Sequence, residues 1–327
     1  MSKSISIITV TYNTEKFISD YFSSIFKNKV KPDEILMYDA GSTDRTVELI
    51  QNQLKLHSGI KLIQGENIGF AAGNNLLAQK AVGEYLFLLN PDTKLDPDCL
   101  GELKNVAGKE EAILIPQQLY FNGRKLSLGV GVDVFGYPLK SKEIFYADGA
   151  AVFIRKDLFT KLGMFDNDYF MFQEDIDLSW RAHLMNIKLL PVPKALAYHH
   201  GGGSIEGGVL KGSRVITNAF RRYYGERNLW LNLLKNYSFW VLIPVFPLNF
   251  VINSLEVILF LLTGRFRLAW SYLKVWGYLM SHSLQIFKKR FAVQQKRVVS
   301  DWVIIRKMYL GSSKLRLLLT AGLPRFQ

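Results

Sequence analysis

Between residues 169 and 182 the chain reads Tyr-Phe-Met-Phe-Gln-Glu-Asp-Ile-Asp-Leu-Ser-Trp-Arg-Ala, three carboxylates set between an aromatic cluster and a Trp-Arg pair. Acids beside large apolar side chains are costly to desolvate. Such a cluster is either a paired structural network or a place where a carboxylate is held ready to take a proton. Read as a helix, Glu174, Asp177 and Arg181 share a face at i, i+3 and i+7, whereas Asp175 lies about 100° around from Glu174. Asp175 is left without a helical partner and is the residue expected to act as a base.

The elements that must position such a base are legible upstream. Short β-branched or apolar runs alternate with helical patterns, which predicts an α/β fold with a largely parallel sheet. Strands are expected over residues 5–10, 34–38, 61–64 and 85–89, with a helix over about 15–26. Each strand runs into polar residues: Thr11, Tyr12 and Asn13 after the first, Asp39 after the second, Glu66 and Asn67 after the third, Asn90 and Asp92 after the fourth. In open parallel sheets ligands bind beyond the carboxyl ends of the strands, so a site is expected there. Residues 116–146 lose periodicity and read as hairpins or loops. Order returns with Ala147-Asp-Gly-Ala-Ala, a strand start small enough to lie under a substrate, and then with two strands near 188–190 and 195–198.

Individual motifs are ambiguous. Gly41-Ser42-Thr43-Asp44 suits a helix cap as well as a ligand, and Asn67-Ile-Gly-Phe-Ala-Ala-Gly-Asn-Asn can approach a diphosphate or only pack closely. Asp92, after Pro91, projects past a strand end, where a carboxylate can bind a hard divalent cation or close an Asx turn. His199-His200 is either a metal ligand pair or a structural hydrogen-bonding element. No Gly-x-Gly-x-x-Gly follows the first strand, and the glycine run at 207–212 lacks a P-loop lysine, which disfavours nicotinamide and P-loop nucleotide chemistry of those types.

Composition bounds the rest. The 327 residues are 49% hydrophobic, enough for a large α/β domain with an appendage. A single cysteine, Cys99, excludes a disulfide framework or a cysteine-rich zinc site. The first residues lack the marks of a secretory signal, so a cytoplasmic location or the cytoplasmic membrane face is expected. Charge is unevenly placed: residues 1–200 hold 22 Lys+Arg against 24 Asp+Glu, net −2, and residues 201–327 hold 19 against 4, net +15.

Together, Val10-Thr-Tyr-Asn13, Asp39 with Gly41-Ser-Thr-Asp44, Asn67-Ile-Gly-Phe70, Asn90-Pro-Asp92, Phe165-Asp166, Glu174-Asp-Ile-Asp177 and His199 with the glycines and Ser204 resemble an inverting family 2 glycosyltransferase of the GT-A type, in its rhamnosyltransferase-like branch. The resemblance covers about residues 4–205. It implies a GT-A catalytic domain over 1–205, a nucleoside-diphosphate sugar donor (dTDP-rhamnose or a UDP-sugar) and a divalent metal, Mg2+ or Mn2+. By position it assigns the donor to Thr11, Tyr12, Asn13, Asp39, Gly41, Ser42, Asn67, Gly69, Phe70, Asn74 and Asn90. The metal falls to Asp92 and His199, and the base to Asp175. Asp148, Gly149, Glu174, Trp180 and Arg181 are expected on the acceptor side. Two positions depart from the family pattern: Ala40 stands where Asn is frequent, and Asn90 replaces the first acid of an Asp-x-Asp motif, which bears on metal affinity.

The region 206–327 is expected to be helical and membrane-associating. Residues 239–262 are long enough to span a bilayer, but Pro244, Pro247, Asn249, Asn253 and Glu256 interrupt them, which predicts two interfacial or re-entrant helices. Trp270, Tyr272, Trp276 and Tyr278, then Lys288-Lys-Arg290 and Lys296-Arg297, suit the headgroup boundary of an anionic membrane. A nucleic-acid partner would not need so much Leu, Phe and Val between the charges. A lipid-linked saccharide acceptor and peripheral or monotopic attachment follow as expectations. A helical homo-oligomer interface is the alternative.

Overall fold

The computed structural model describes residues 3–121, 130–141, 143–200, 210–211, 214–321 and 325–326. The expected glycine loop over 201–213 falls almost entirely outside them, Ser204 included.

The strands are β1 (Ile5–Thr11), β2 (Glu34–Asp39), β3 (Ile60–Gln64), β4 (Tyr85–Leu89), β5 (Thr93–Leu95), β6 (Ala112–Tyr120), β7 (Val130–Val132), β8 (Pro138–Lys140), β9 (Ala151–Arg155), β10 (Lys188–His199), β11 (Leu210–Lys211), β12 (Arg214–Thr217) and β13 (Arg325–Phe326). The helices are α1 (Glu15–Lys27), α2 (Thr46–Leu56), α3 (Gly69–Lys80), α4 (Cys99–Val106), α5 (Lys156–Leu162), α6 (Glu174–Leu184), α7 (Ala219–Asn236), α8 (Phe239–Leu262), α9 (Phe266–Ser281), α10 (Ser283–Gln295), α11 (Asp301–Ile305) and α12 (Ser313–Ala321). Eight strands form one sheet in the order β3-β2-β1-β4-β9-β6-β10-β5. The pairs β1/β2, β2/β3, β1/β4 and β6/β10 are parallel, and β9 runs antiparallel to both β4 and β6. The expectation of an α/β fold with a largely parallel sheet holds: four of its seven strand pairings are parallel. Its central strands are apolar on both faces: Ile5, Ile7, Phe87 and Phe153 face one buried cluster, and Ile8, Leu86, Leu88 and Val152 the other.

Two differences from the sequence reading have physical causes. First, β6 was not expected, and β10 is one strand rather than two. Pro116 cannot donate to a ladder, and it pairs with Val192 where β10 shifts register before Leu196, a segment holding Pro193. The break that hid both strands is a bulge inside one long pairing. Second, residues 239–262 form one helix with Pro244 and Pro247 inside it. Both prolines lie near its start. The carbonyls that lose donors to them belong to Trp240 and Ile243, 77% and 51% exposed, so the helix tolerates the loss.

Helix α8 has an unusual polarity. Asn249, Asn253 and Glu256, at i, i+4 and i+7, are buried against the protein, whereas Trp240, Leu248, Val251, Leu255 and Leu262 are exposed. A soluble core helix shows the opposite arrangement. The inward stripe meets Arg222 and Glu226 of α7, Tyr272 of α9 and Lys314 of α12 in a buried charge network. Helix α7 packs against α6, which ties the described helical region to the sheet domain.

Candidate active site

The carboxyl ends of β1 and β4, the turn before β9, the start of α6, the end of β10 and the first turns of α7 enclose a cavity of about 560 Å³. Its wall includes Thr11, Tyr12, Asn67, Gly69, Phe70, Asn90, Asp92, Asp148, Gly149, Glu174, Asp175 and His199. Residues from six segments, expected from separate motifs, converge on one space.

Asp175 is placed by the turn that starts α6. Its Oδ1 accepts from the Ile176 amide at 2.8 Å and its Oδ2 from the Gly149 amide at 3.1 Å. Burial, helped by the charge of Asp148, pushes its carboxyl up to about 7, against those two amide bonds. A group poised there is ionised enough to act and basic enough to accept a proton near neutral pH. Glu174 beside it is pushed well above the usual carboxylate range, by burial first and by Asp175 second, and its Oε2 has no hydrogen-bond partner among the described residues.

The backbone before Asp175 is strained. Phe170, Phe172 and Gln173 have φ of 58°, 68° and 66°, which non-glycine residues adopt at a cost. Helix α7 holds them there. The Asn228 amide donates to the carbonyls of Tyr169, Met171 and Phe172 at 2.8 to 2.9 Å, and Asn232 donates to the Gln173 side chain at 3.1 Å. On the other side Gly69, with φ of 85°, lies so close to Phe170 that a Cβ there would fall 2.5 Å from its ring. Only glycine fits both requirements.

Across the cavity, sheet register creates a second pair. Thr93 of β5 pairs with His199 of β10, which sets Asp92 beside His199 with 3.3 Å between Oδ2 and Nε2. Burial disfavours the imidazolium, but the Asp92 carboxylate outweighs it and raises the His199 pKa. His199 Nδ1 is buried with no hydrogen-bond partner among the described residues. One carboxylate and one imidazole make a partial donor set for a divalent cation, which suits an ion whose other positions are filled by ligand phosphates and water. Asp92→Ala should therefore weaken nucleoside-diphosphate binding in Mn2+ at least about tenfold and leave metal-free binding unchanged, as read by titration calorimetry. Equal affinities with and without Mn2+ in the wild type would remove the metal role.

Several expected donor residues lie outside the cavity lining. Asp39 accepts from Thr11 Oγ1 at 3.0 Å, Ser42 N at 2.9 Å and Ser42 Oγ at 2.6 Å, so both its oxygens are engaged. The Asn13 amide donates to Ser42 Oγ at 2.9 Å, and Gly41 turns the chain at φ of 79°. These four tie the β1 and β2 loops together. Asn74 donates within α3 to the Phe70 carbonyl at 3.0 Å.

Trp180 and Arg181 require correction. Trp180 is fully buried, edge-on to Phe145 and Tyr237. Arg181 pairs with Asp177 at 2.8 Å and donates to the carbonyls of Leu162 and Met164. Both lie on the core side of α6, away from the cavity, and hold the helix down. Asp177, bridged also to Lys235 at 3.0 Å, stays below the usual range because Arg181 and Lys235 outweigh its burial.

Tyr137, Tyr146, Phe172, Arg221, Arg222 and Glu226 line the cavity without having been anticipated. Glu226 and Arg222 belong to the network under α8, so the helical region contributes a wall of the site. The aromatic and basic content of 220–227 was the available signal.

The sequence model of Glycosyl transferase family 2 matches residues 6–163. Among curated relatives, the poly-beta-1,6-N-acetyl-D-glucosamine synthase of Staphylococcus epidermidis is 25% identical over 217 residues, 59% of this chain and 49% of the relative. The N-acetylglucosaminyl-diphospho-decaprenol L-rhamnosyltransferase of Mycobacterium tuberculosis is 23% identical over 239 residues, 61% of this chain and 77% of the relative. The chain spans between 32% and 49% of the length of the first curated relatives it matches. Among solved structures, GalNAc-T7 with UDP, GalNAc and Mn2+ superposes with a TM-score of 0.54 at 18% identity, over 60% of this chain and 43% of that one. The mannosyltransferase PcManGT of Pyrobaculum calidifontis, in complex with GDP-Man and Mn2+, gives 0.51 at 15% identity over 97% and 85%. The matched segment holds the strand ends that line one side of the cavity, and the chain shares the fold of these glycosyltransferase structures.

Proposed function

We propose that this protein is an inverting glycosyltransferase that moves a sugar, L-rhamnose from dTDP-rhamnose, onto a lipid-linked saccharide at the cytoplasmic face of a membrane. The observation that carries the reading is Asp175, raised to about 7 in a cavity that also holds the Asp92–His199 pair. Direct displacement at an anomeric carbon needs a base on the acceptor side and charge neutralisation on the leaving side. Asp175 accepts the acceptor hydroxyl proton at its carboxylate as that oxygen attacks. Asp92 and His199 would hold the metal, which neutralises the leaving diphosphate when bound. Gly69, Phe70 and Asn67 border the donor, and the strained 170–173 loop keeps Asp175 aimed into the cavity.

Support for the donor sugar comes from the mycobacterial relative, a rhamnosyltransferase by name, and other relatives and neighbours use other sugars. The test is nucleoside-diphosphate release from dTDP-, UDP- and GDP-sugars with Mn2+ or Mg2+ and a lipid-linked acceptor. Release from dTDP-rhamnose alone is expected. Release from a UDP-sugar instead would keep the chemistry and change the donor.

Membrane association rests on the outward apolar face of α8 and on Phe266, Trp270 and Phe287, 59% to 66% exposed, within a region of net charge +15. A contiguous apolar surface of this kind marks an interaction site, and the basic residues suit anionic lipid. An enzyme held there meets a lipid-borne acceptor at high local concentration. Full-length protein should co-sediment with phosphatidylglycerol vesicles, and 1 M salt should weaken but not abolish this, because only the charge contribution is screened. Protein left in the supernatant at low salt would assign the apolar face to self-association.

A further inference from the structure

Tyr146 stands in the cavity wall with an uncommitted hydroxyl. The residue is 8% exposed, and its ring packs into the buried cluster that holds Phe145, Ile176 and Trp180. The hydroxyl has no hydrogen-bond partner among the described residues. Unlike the unpartnered Glu174 Oε2 it is not sealed from solvent, so the oxygen opens onto the cavity. A buried phenol ordinarily finds a partner, and one left open in a binding cavity is satisfied by ligand or water.

The backbone around Tyr146 is fixed by hydrogen bonds on either side of it. The Phe145 and Tyr146 amides donate to the Val130 carbonyl at 2.9 and 3.2 Å, the Ala147 amide to Ser179 Oγ at 3.0 Å, and the Gly149 amide to Asp175 at 3.1 Å. The last two bonds fasten this segment to α6, the helix that carries the base. Burial first, and then the charges of Asp175 and Asp148, push the Tyr146 phenol well above its usual pKa. The phenol thus keeps its proton at neutral pH and offers a hydrogen-bond donor on the wall that holds the proton acceptor.

The chemistry limits what that donor can serve. An acceptor hydroxyl that gives its proton to Asp175 must keep a lone pair free to attack the anomeric carbon. A hydrogen bond donated to the attacking oxygen would oppose the attack, whereas one donated to a neighbouring oxygen of the same molecule orients it. Water, the competing acceptor, has no second oxygen to offer.

We propose that Tyr146 donates a hydrogen bond to an acceptor oxygen adjacent to the attacking hydroxyl, so that the enzyme selects a sugar with two neighbouring oxygens and favours transfer over hydrolysis of the donor. This rests on the glycosyltransferase reading and adds a specificity determinant to it. The test uses full-length protein, the donor and lipid-linked acceptor accepted in the release assay, and acceptor analogues lacking one hydroxyl at a time. Removing one particular hydroxyl besides the attacked one should cost wild-type enzyme at least about tenfold in kcat/KM. Tyr146→Phe, which deletes only the oxygen, should cost a similar factor with the complete acceptor, mainly through KM, and should use that analogue and the complete acceptor equally well. Transfer should fall relative to acceptor-free nucleoside-diphosphate release. Affinity for dTDP in Mn2+, read by calorimetry, should stay within about twofold of wild type, which reports an intact fold. Wild-type discrimination between the complete acceptor and its analogues in Y146F would overturn the proposal, as would equal losses of transfer and of acceptor-free release, which would give the hydroxyl a structural role or a role on Asp175. Failure of the transferase reading itself is separate: wild-type enzyme would then release no nucleoside diphosphate from any donor, a result seen before any variant is compared.

Discussion

Asp175→Asn should lower turnover by roughly 10² to 10⁴, the contribution of a positioned base, while nucleoside-diphosphate affinity stays within a few fold. The amide preserves shape and one of the two acceptor bonds to the Ile176 and Gly149 amides, but it cannot take the proton. The pH profile carries the same information. With the carboxyl near 7, kcat/KM of the wild type should climb with pH and level off above that value, and residual activity in D175N should lose this limb. Stability moves the other way. From about pH 4 to pH 7 the folded protein keeps a proton on Asp175 that the unfolded chain has released, so stability falls as pH rises through this window. At pH 8, D175N no longer buries that charge and should melt at the same temperature as wild type or higher. An inactive enzyme that is no less stable distinguishes a functional carboxylate from a structural one. Wild-type-like turnover in D175N would falsify the assignment.

Lys314→Met should lower folding stability by about 3 to 5 kcal/mol, the usual result of removing one member of a buried ionic network. Lys314 Nζ lies 2.9 Å from Glu226, 2.5 Å from Glu256, 2.8 Å from Tyr137 and 2.7 Å from Tyr272. The lysine side chain is 10% exposed and the two glutamates 4% and 7%. Two carboxylates are balanced there by two cations, Lys314 and Arg222. Losing one cation leaves a buried carboxylate uncompensated. The double variant Lys314→Met with Glu256→Gln restores the balance and should recover much of the loss in urea unfolding, with a coupling energy of about 1 to 3 kcal/mol. By contrast Lys29 and Asp98, 71% and 52% exposed, form a surface pair whose removal should change the unfolding midpoint little. Additive losses in the K314M/E256Q cycle would mean that the network does not act as a unit.

What the sequence made legible was local. Strand ends were readable because apolar runs stop at polar residues, and Asp175 stood out because helix periodicity left it unpartnered. The same periodicity paired Glu174 with Asp177 and Arg181, and there it was half right: Asp177 takes Arg181, and Glu174 turns to the cavity. Trp180 and Arg181 resembled site residues because they adjoin the acids in sequence. One turn of helix carries them to the core face, where Lys235 and Tyr237 of a distant segment complete their surroundings. The α7 wall was not legible for that reason. Arg221, Asn228 and Asn232 act on a loop more than 45 residues upstream, and only the fold brings the two together. The β5–β10 register that joins Asp92 to His199 is of the same kind, although there a resemblance supplied the pairing in advance.

The account stands or falls on direct displacement assisted by Asp175, and the anomeric configuration of the product reads it most directly. With a donor accepted in the release assay, proton NMR of the new glycosidic linkage should give the configuration opposite to that of the donor, because attack from the Asp175 side opposes departure of the diphosphate. A product that retains the donor configuration would contradict it, since retention requires something other than a single displacement.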